Sequence, residues 1–218
     1  KLIGIISMTI DHTGFFLFPH NIIFRIIGRL AYPIFAAMIA EVCRFTRNRC
    51  RYCLVMLAIA CVCSAAAYIA EGSLHQTIFT TFSCSIMLIF ALDNVVKGHG
   101  QTRGIIWGLT AVTLTLLYFS LFHLGMIPGL ETDYGFFGIM TPVLVRCGRN
   151  KVQSLALLAH GLCLISAELG AIQLFSLVSV MILWFYNGKR GKYGMKWFFS
   201  GYYPLHVAVL YGISQLIS

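Results

Sequence analysis

The sequence consists of nine apolar stretches separated by connections of only a few residues. Most stretches approach the roughly 20 residues that an α-helix needs to cross the hydrocarbon core of a bilayer, and several are shorter. The stretches lie at 2–18, 21–43, 52–70, 76–96, 104–126, 134–147, 152–168, 171–187 and 196–217. Charged residues make up only 11% of the chain, so a soluble domain would lack a polar shell. We therefore predict an all-α, polytopic transmembrane helix bundle of about nine spans, forming a single domain over residues 1–218.

Positive charge alternates along the chain in step with this partition. Cytosolic loops of membrane proteins are enriched in Lys and Arg. If Lys1 is cytosolic and nine spans alternate in direction, all but two of the 16 basic residues fall on the cytosolic side. They are Lys1, Arg44, Arg47, Arg49, Arg51, Lys97, Arg103, Arg146, Arg149, Lys151, Lys189, Arg190, Lys192 and Lys196. The opposite connections carry Glu71, Glu131, Asp133 and Glu168. This pattern predicts a cytosolic N-terminus, and it explains the net charge of +9 without a nucleic-acid partner.

Four ionisable residues interrupt the first two apolar stretches. Asp11 and His12 are adjacent in the first, and Arg25 and Arg29 lie one helical turn apart in the second. A charge at bilayer depth costs roughly 3 kcal/mol or more, so such residues usually face a bundle interior and mark a functional site. Successive helical residues project about 100° apart, so Asp11 is better placed to neutralise Arg25 or Arg29 than to orient His12. The alternative is an ion pair that only joins two helices.

Depth in the membrane tests whether these residues can meet. At 1.5 Å per residue, His12 and His206 both lie roughly 15 Å from the inner boundary. Arg29 lies roughly 12 Å from the outer boundary, so all three side chains can share one layer near the midplane. We interpret His123 and His160 as structural, hydrogen-bonded histidines of apolar helices, because no acid and arginine pair accompanies them.

Several local motifs, in order along most of the chain, resemble the TraX family. They are Asp11-His12, Gly28-Arg29-Leu30-Ala31-Tyr32-Pro33-Ile34-Phe35, Asp133-Tyr134-Gly135 with Gly138, and Tyr202-Tyr203-Pro204-Leu205-His206. The family is known for an inner-membrane protein that acetylates the N-terminus of pilin. It is also similar to the acyltransferase-3 superfamily, whose first span carries a basic residue, ten intervening residues and a catalytic histidine. Lys1 and His12 have this spacing, although several of those proteins have ten core spans.

The resemblance implies a multi-pass acetyltransferase of the bacterial inner membrane. It would move an acetyl group from cytosolic acetyl-CoA to an amine or hydroxyl at the outer face, on a pilin peptide or a glycan. We expect His12 to act as general base or acyl carrier, and Arg29 and Arg25 to stabilise the oxyanion. The remaining catalytic candidates are Asp11 and His206. The expected substrate-binding residues are Lys1, Tyr32, Tyr134, Tyr203, Arg44, Arg47 and Lys192, with no metal.

Three other functions remain open from the residues. A small proton-coupled transporter would also use buried Asp, His and Arg near the midplane. A haem-binding electron carrier would use paired histidines in facing helices, and His12, His160 and His206 could supply them. The pair Cys50 and Cys53, with Cys43 and Cys147 near the same face, could form a four-thiolate metal site. The inner-face cysteines are expected to be reduced thiols. The cysteines deep in the spans are expected to be small apolar fillers, and they are Cys61, Cys63, Cys84 and Cys163.

Overall fold

The computed structural model describes residues 2–71, 76–96, 101–127, 130–188 and 196–217. Helix occupies each of the nine apolar stretches, and no strand occurs among the described residues. A helix satisfies its own backbone N–H and C=O groups, which is why long apolar stretches become helices in a membrane. The predicted all-α membrane fold is confirmed. The number of crossings and the side of the N-terminus stay predictions.

The helices follow one another with short connections. They are α1 (Leu2–Leu17), α2 (Ile22–Gly28), α3 (Ala31–Phe45), α4 (Arg49–Glu71), α5 (Ile78–Val96), α6 (Gln101–Phe122), α7 (Gly135–Cys147), α8 (Lys151–Leu169), a 3₁₀ helix (Ala171–Leu177), α9 (Val178–Trp184) and α10 (Lys196–Ile217). Within the described ranges, five helical segments are long and apolar enough to cross a membrane. They are Ile22–Phe45, Arg49–Ile69, Ile78–Val96, Thr102–Phe122 and Lys151–Leu169.

The second apolar stretch is divided at Arg29 and Leu30, where one continuous helix was expected. Pro33 causes this division. Its ring fixes φ, removes a backbone donor and clashes with the carbonyl four residues earlier, which belongs to Arg29. Proline is accommodated most readily in the first turn of a helix, and α3 begins at Ala31, two residues before Pro33. Arg29 therefore forms the C-cap of α2, with its backbone N–H donating to the Arg25 carbonyl at 3.2 Å.

The chain forms two compact units. Unit 1 comprises Lys1–Phe35 and Ser166–Ser218. Its α1 packs against both α2 and α10. The approach of α1 to α2 is close because Gly14 lies against Phe24 and Gly28 lies against Asp11, where any Cβ would overlap. Ser7 also donates from Oγ to the Ile27 carbonyl, so this packing places α1 directly on the end of α2.

The 3₁₀ helix of unit 1 replaces what was expected to be the start of an ordinary apolar span. Its polar residues Gln173 and Ser176, followed by Ser179, recur every third position and are each less than 5% exposed. A 3₁₀ helix has three residues per turn, so this spacing aligns them on one face. The 3₁₀ helix packs against α2 in the same unit. The buried polar residues therefore recur with the three-residue period of a 3₁₀ helix.

Unit 2, Ala36–Ile165, is built around α5. This helix packs against α4, α6 and α7, and most of its side chains are buried. Ile86, Leu88 and Ile89 are at most 1% exposed. Ser85 ties α5 to α7 by donating from Oγ to the Ile139 carbonyl at 2.7 Å. The core of the unit is therefore the interface of α5 with its three neighbours.

Candidate active site

An ion pair joins α1 to α2 in unit 1. Asp11 Oδ1 lies 3.1 Å from Arg25 Nη1. The two side chains are partly shielded from solvent, with 18% of Asp11 and 33% of Arg25 exposed. Gly28 permits this approach, since a side chain there would occupy the space of Asp11. The contact confirms the prediction that Asp11 neutralises one of the two arginines.

The two histidines predicted to share one layer are in direct contact. His12 Nδ1 and His206 Nε2 are 2.7 Å apart, a short hydrogen bond between α1 and α10. The ring centroids are 4.9 Å apart and the ring planes are inclined by 24°. His206 is only 8% exposed, whereas His12 is partly exposed. Depth arguments predicted that both could reach the same level, and the structure joins them.

Hydrogen bonding fixes the tautomer of both rings. The Tyr202 carbonyl, 2.8 Å from His206 Nδ1, can only accept, so this nitrogen carries a proton. In the neutral ring His206 Nε2 is then an acceptor, and His12 Nδ1 donates to it. The basic lone pair of neutral His12 therefore resides on Nε2. A histidine held in one tautomer by its other nitrogen is the arrangement that a general base needs.

Aromatic rings and one hydroxyl pair surround the histidines. Tyr203 presents its ring edgewise to His12 and to His206, with both centroid separations 5.5 Å. Tyr202 stacks on His206 at 4.9 Å, and its hydroxyl is 2.8 Å from Thr9 Oγ1. Sequence reasoning missed Thr9 and Tyr202. A helical signal was available, since Thr9 precedes His12 and Tyr202 precedes His206 by about one turn each.

Arg29 is a buried cation at the junction of α2 and α3. Its residue exposure is 9%, and its Nε has no hydrogen-bond partner among the residues that the structure describes. Buried charged groups are normally paired and hydrogen-bonded, so an unsatisfied guanidinium donor calls for an explanation. Its position next to Gly28, against which Asp11 packs, keeps it in the α1–α2 region of unit 1.

The other predicted site residues are distributed over the chain. Tyr32 is buried in unit 1, with 2% exposure. Arg44, Arg47 and Tyr134 belong to unit 2. Arg44 Nη2 donates to the Gly148 carbonyl at 2.7 Å, Arg47 is exposed, and Tyr134 is the N-cap of α7. Lys1 and Lys192 lie outside the described residues.

His123, His160 and the cysteines are arranged differently from a metal centre. His123 stacks on Phe119 at 4.8 Å, and both His123 and His160 are exposed. All eight cysteines are free thiols. Among the described residues, no group of three or more His, Cys, Asp or Glu side chains could hold a metal ion. Two axial nitrogens on opposite sides of a haem iron would be roughly 4 Å apart, twice a metal–nitrogen bond, so the 2.7 Å contact of His12 with His206 does not fit a bis-histidine haem.

Comparison with known proteins supports one family. A 35-residue segment, 16% of the chain, is 54% identical to an uncharacterized protein of Rickettsia prowazekii (strain Madrid E). That match covers 14% of the Rickettsia protein's length. No solved structure matches the chain. The family model described as TraX protein matches residues 1–214, nearly the whole chain, and the protein therefore belongs to the TraX family.

Proposed function

We propose that this chain is an integral membrane acetyltransferase that uses cytosolic acetyl-CoA. Its acceptor would be an amine or hydroxyl at the outer face of the bacterial inner membrane. The TraX family is associated with pilin acetyltransferase function, so the N-terminal amine of a pilin is the first acceptor to test. The observation that carries the proposal is the chain from the Tyr202 carbonyl through His206 to His12, which leaves His12 Nε2 as the basic nitrogen.

In the proposed reaction His12 Nε2 takes the proton of the attacking amine or hydroxyl. The acceptor atom bonds to the thioester carbonyl carbon, and the carbonyl oxygen becomes an oxyanion. Collapse of this intermediate breaks the carbon–sulfur bond, and protonated His12 returns its proton to the departing thiolate. The same Nε2 lone pair could instead attack the thioester and carry the acetyl group as acyl-histidine before transfer. Both routes require the tautomer that His206 enforces.

Arg29 would stabilise the oxyanion in this reaction. Its buried Nε–H is a charged donor, and removing one donor to an oxyanion typically costs about 100-fold to 1000-fold in rate. Arg25 is already neutralised by Asp11, so its role would be to position α2 and hence Arg29. His206 would act as a positioning residue for His12, and Tyr203 would confine the imidazole ring.

Substrate binding is assigned by the predicted topology. The phosphates of acetyl-CoA would interact with cytosolic basic residues, and the acceptor would approach from the opposite side. The residues proposed for the donor are Lys1, Arg44, Arg47 and Lys192. Those proposed for the acceptor are Tyr32, Tyr203 and Tyr134, the last following Asp133. A flexible thioester arm suits such a division, because the phosphates can stay at the surface while the acetyl group enters.

The test is acetyl transfer by the purified full-length chain in nanodiscs. Acetyl-CoA and a synthetic pilin N-terminal peptide are the substrates, and mass spectrometry measures the acetylated peptide and any acyl adduct on the protein. His12→Ala should reduce turnover by about 100-fold or more, the usual contribution of a general base. His160→Ala is the matched control, because it removes an exposed histidine from another apolar helix. Full turnover by His12→Ala would remove this residue from the mechanism.

A proton-coupled transporter using the same buried Asp, His and Arg residues gives a different result. Isothermal titration with acetyl-CoA and with free CoA separates the two functions. The acetyltransferase should bind both ligands and consume only the thioester. A transporter would leave acetyl-CoA intact in the presence of every acceptor offered, including simple amines and the pilin peptide.

A further inference from the structure

A second ionic cluster lies in unit 2, where one buried carboxylate meets two arginines. Asp93 on α5 is 9% exposed. Its Oδ2 lies 3.1 Å from Arg49 Nη2 at the start of α4, and its Oδ1 lies 2.9 Å from Arg146 Nη2 in the last turn of α7. We refer to these three residues as the Asp93 cluster. It has one negative and two positive charges, so it carries a net charge of +1.

The two guanidinium groups have more donors than Asp93 can accept. Each guanidinium has five N–H donors, and the ion pairs use one nitrogen of each. Arg49 Nη1 and Arg146 Nε are buried, and within the described part of the chain neither has a hydrogen-bond partner. Buried charged donors that lack an acceptor are costly to a structure. The cluster is therefore deficient in oxygen acceptors as well as in negative charge.

The arginines are held in place, and part of each side chain remains accessible. Arg49 lies over the Phe90 ring, 4.9 Å from its centroid, which orients the guanidinium plane. The Arg49 and Arg146 side chains remain 23% and 27% exposed, whereas Asp93 is largely covered. Asp93 thus acts as an internal support that fixes two arginine forks beside each other. One arginine would balance the charge of Asp93, so the second leaves the cluster positive.

We propose that Arg49 and Arg146, supported by Asp93, form a binding site for a phosphate group. Phosphate provides several acceptor oxygens in one compact anion, and arginine forks match its geometry. The phosphate would belong either to a soluble cofactor such as coenzyme A or to the headgroup of an anionic phospholipid. In the first case the site rests on the proposed function. In the second it does not depend on acetyl transfer.

Binding measurements on the full chain separate the two sources. In the first arm, phosphatidylcholine nanodiscs are titrated with coenzyme A, with pantetheine, which has no phosphate, and with coenzyme A in the presence of inorganic phosphate. In the second arm, native mass spectrometry measures phosphatidylglycerol retained from mixed nanodiscs. Arg49→Gln and Arg146→Gln should each weaken ligand binding in one of the two arms at least tenfold. Arg103→Gln, which removes an exposed arginine from α6, should change binding in that arm less than twofold.

Two further variants distinguish ligand binding from a structural lock. Arg49→Lys keeps the positive charge beside Asp93 and loses the fork, so it should fold normally and still bind at least fivefold more weakly. The double variant Arg49→Gln with Asp93→Asn removes one charge of each sign, and it should also lose binding. If Arg49→Lys and both glutamine variants match Arg103→Gln in both arms, the phosphate site is wrong and the cluster is only structural. The Arg49 and Arg146 variants leave His12 and its hydrogen bond unchanged. If they lose coenzyme A binding, the phosphate site is supported even if the unmodified chain acetylates no acceptor.

Discussion

Replacing His206 by leucine removes the acceptor that fixes the His12 tautomer. The hydrogen bond it breaks is 2.7 Å long, and His206 is only 8% exposed, so little water can take its place. Leaving a buried donor without an acceptor costs about 1–3 kcal/mol. If this cost falls on the catalytically competent orientation of His12, at about 1.4 kcal/mol per tenfold change the acetyl-transfer rate should fall about fivefold to 150-fold. The affinity for acetyl-CoA should change little, because His206 is proposed to contact only the base.

The assay for this prediction is steady-state acetylation of a pilin peptide, with kcat and KM measured separately. His206→Gln is the informative companion, since its amide oxygen is an acceptor that can reach the position of the imidazole Nε2. It should recover a large part of the lost kcat. Leucine and glutamine variants that are equally slow would assign the effect to packing. A leucine variant within twofold of the unmodified chain would refute the proposed relay through His206.

Two other substitutions test the same unit. Gly28→Ala introduces a Cβ into the space of Asp11, and overpacking of this kind costs about 1–3 kcal/mol. The thermal unfolding midpoint in detergent should therefore fall clearly. An unchanged midpoint would contradict the close approach of α1 to α2. Arg29→Lys keeps the charge and loses the planar fork, so kcat should fall tenfold or more while acetyl-CoA affinity stays within twofold. Equal kcat values for the lysine variant and the unmodified chain would exclude Arg29 as the oxyanion donor.

Sequence alone predicted the fold well because membrane helices obey a strong constraint. Apolar length fixed the positions of the helices, since the backbone must satisfy its own hydrogen bonds in hydrocarbon. The same constraint singled out four ionisable residues because they lie within apolar stretches: Asp11, His12, Arg25 and Arg29. Depth predicted that His12 and His206 could share one layer, and the roughly 100° between successive helical residues directed Asp11 to the arginines. The structure has both the His12–His206 and the Asp11–Arg25 contacts. These inferences need only the rise and turn per residue and the direction of the chain.

The features that the sequence analysis missed depend on local backbone chemistry or on helix neighbours. The break before Ala31 was signalled by Pro33, but hydropathy treats proline in an apolar stretch as unremarkable. The ion pair of Asp93 with Arg49 joins residues 44 positions apart, and no periodicity in either helix predicts it. Pairing between helices depends on which helix faces pack together. Apolar side chains are about equally stable against lipid and against another helix, so apolar composition does not show which face is buried.

Arg25 and Arg29 differ in whether their donors already have a partner. This difference is why Arg29 is the proposed oxyanion donor. Arg25 has a permanent partner in Asp11, so an oxyanion forming nearby would compete with a carboxylate already in place. Arg29 has a buried Nε–H without a partner in the described part of unit 1. Only interactions that strengthen between ground state and transition state accelerate a reaction. A guanidinium donor that has no partner until negative charge develops would meet this condition. The asymmetry between two arginines one turn apart is therefore the reason for the different roles proposed for them.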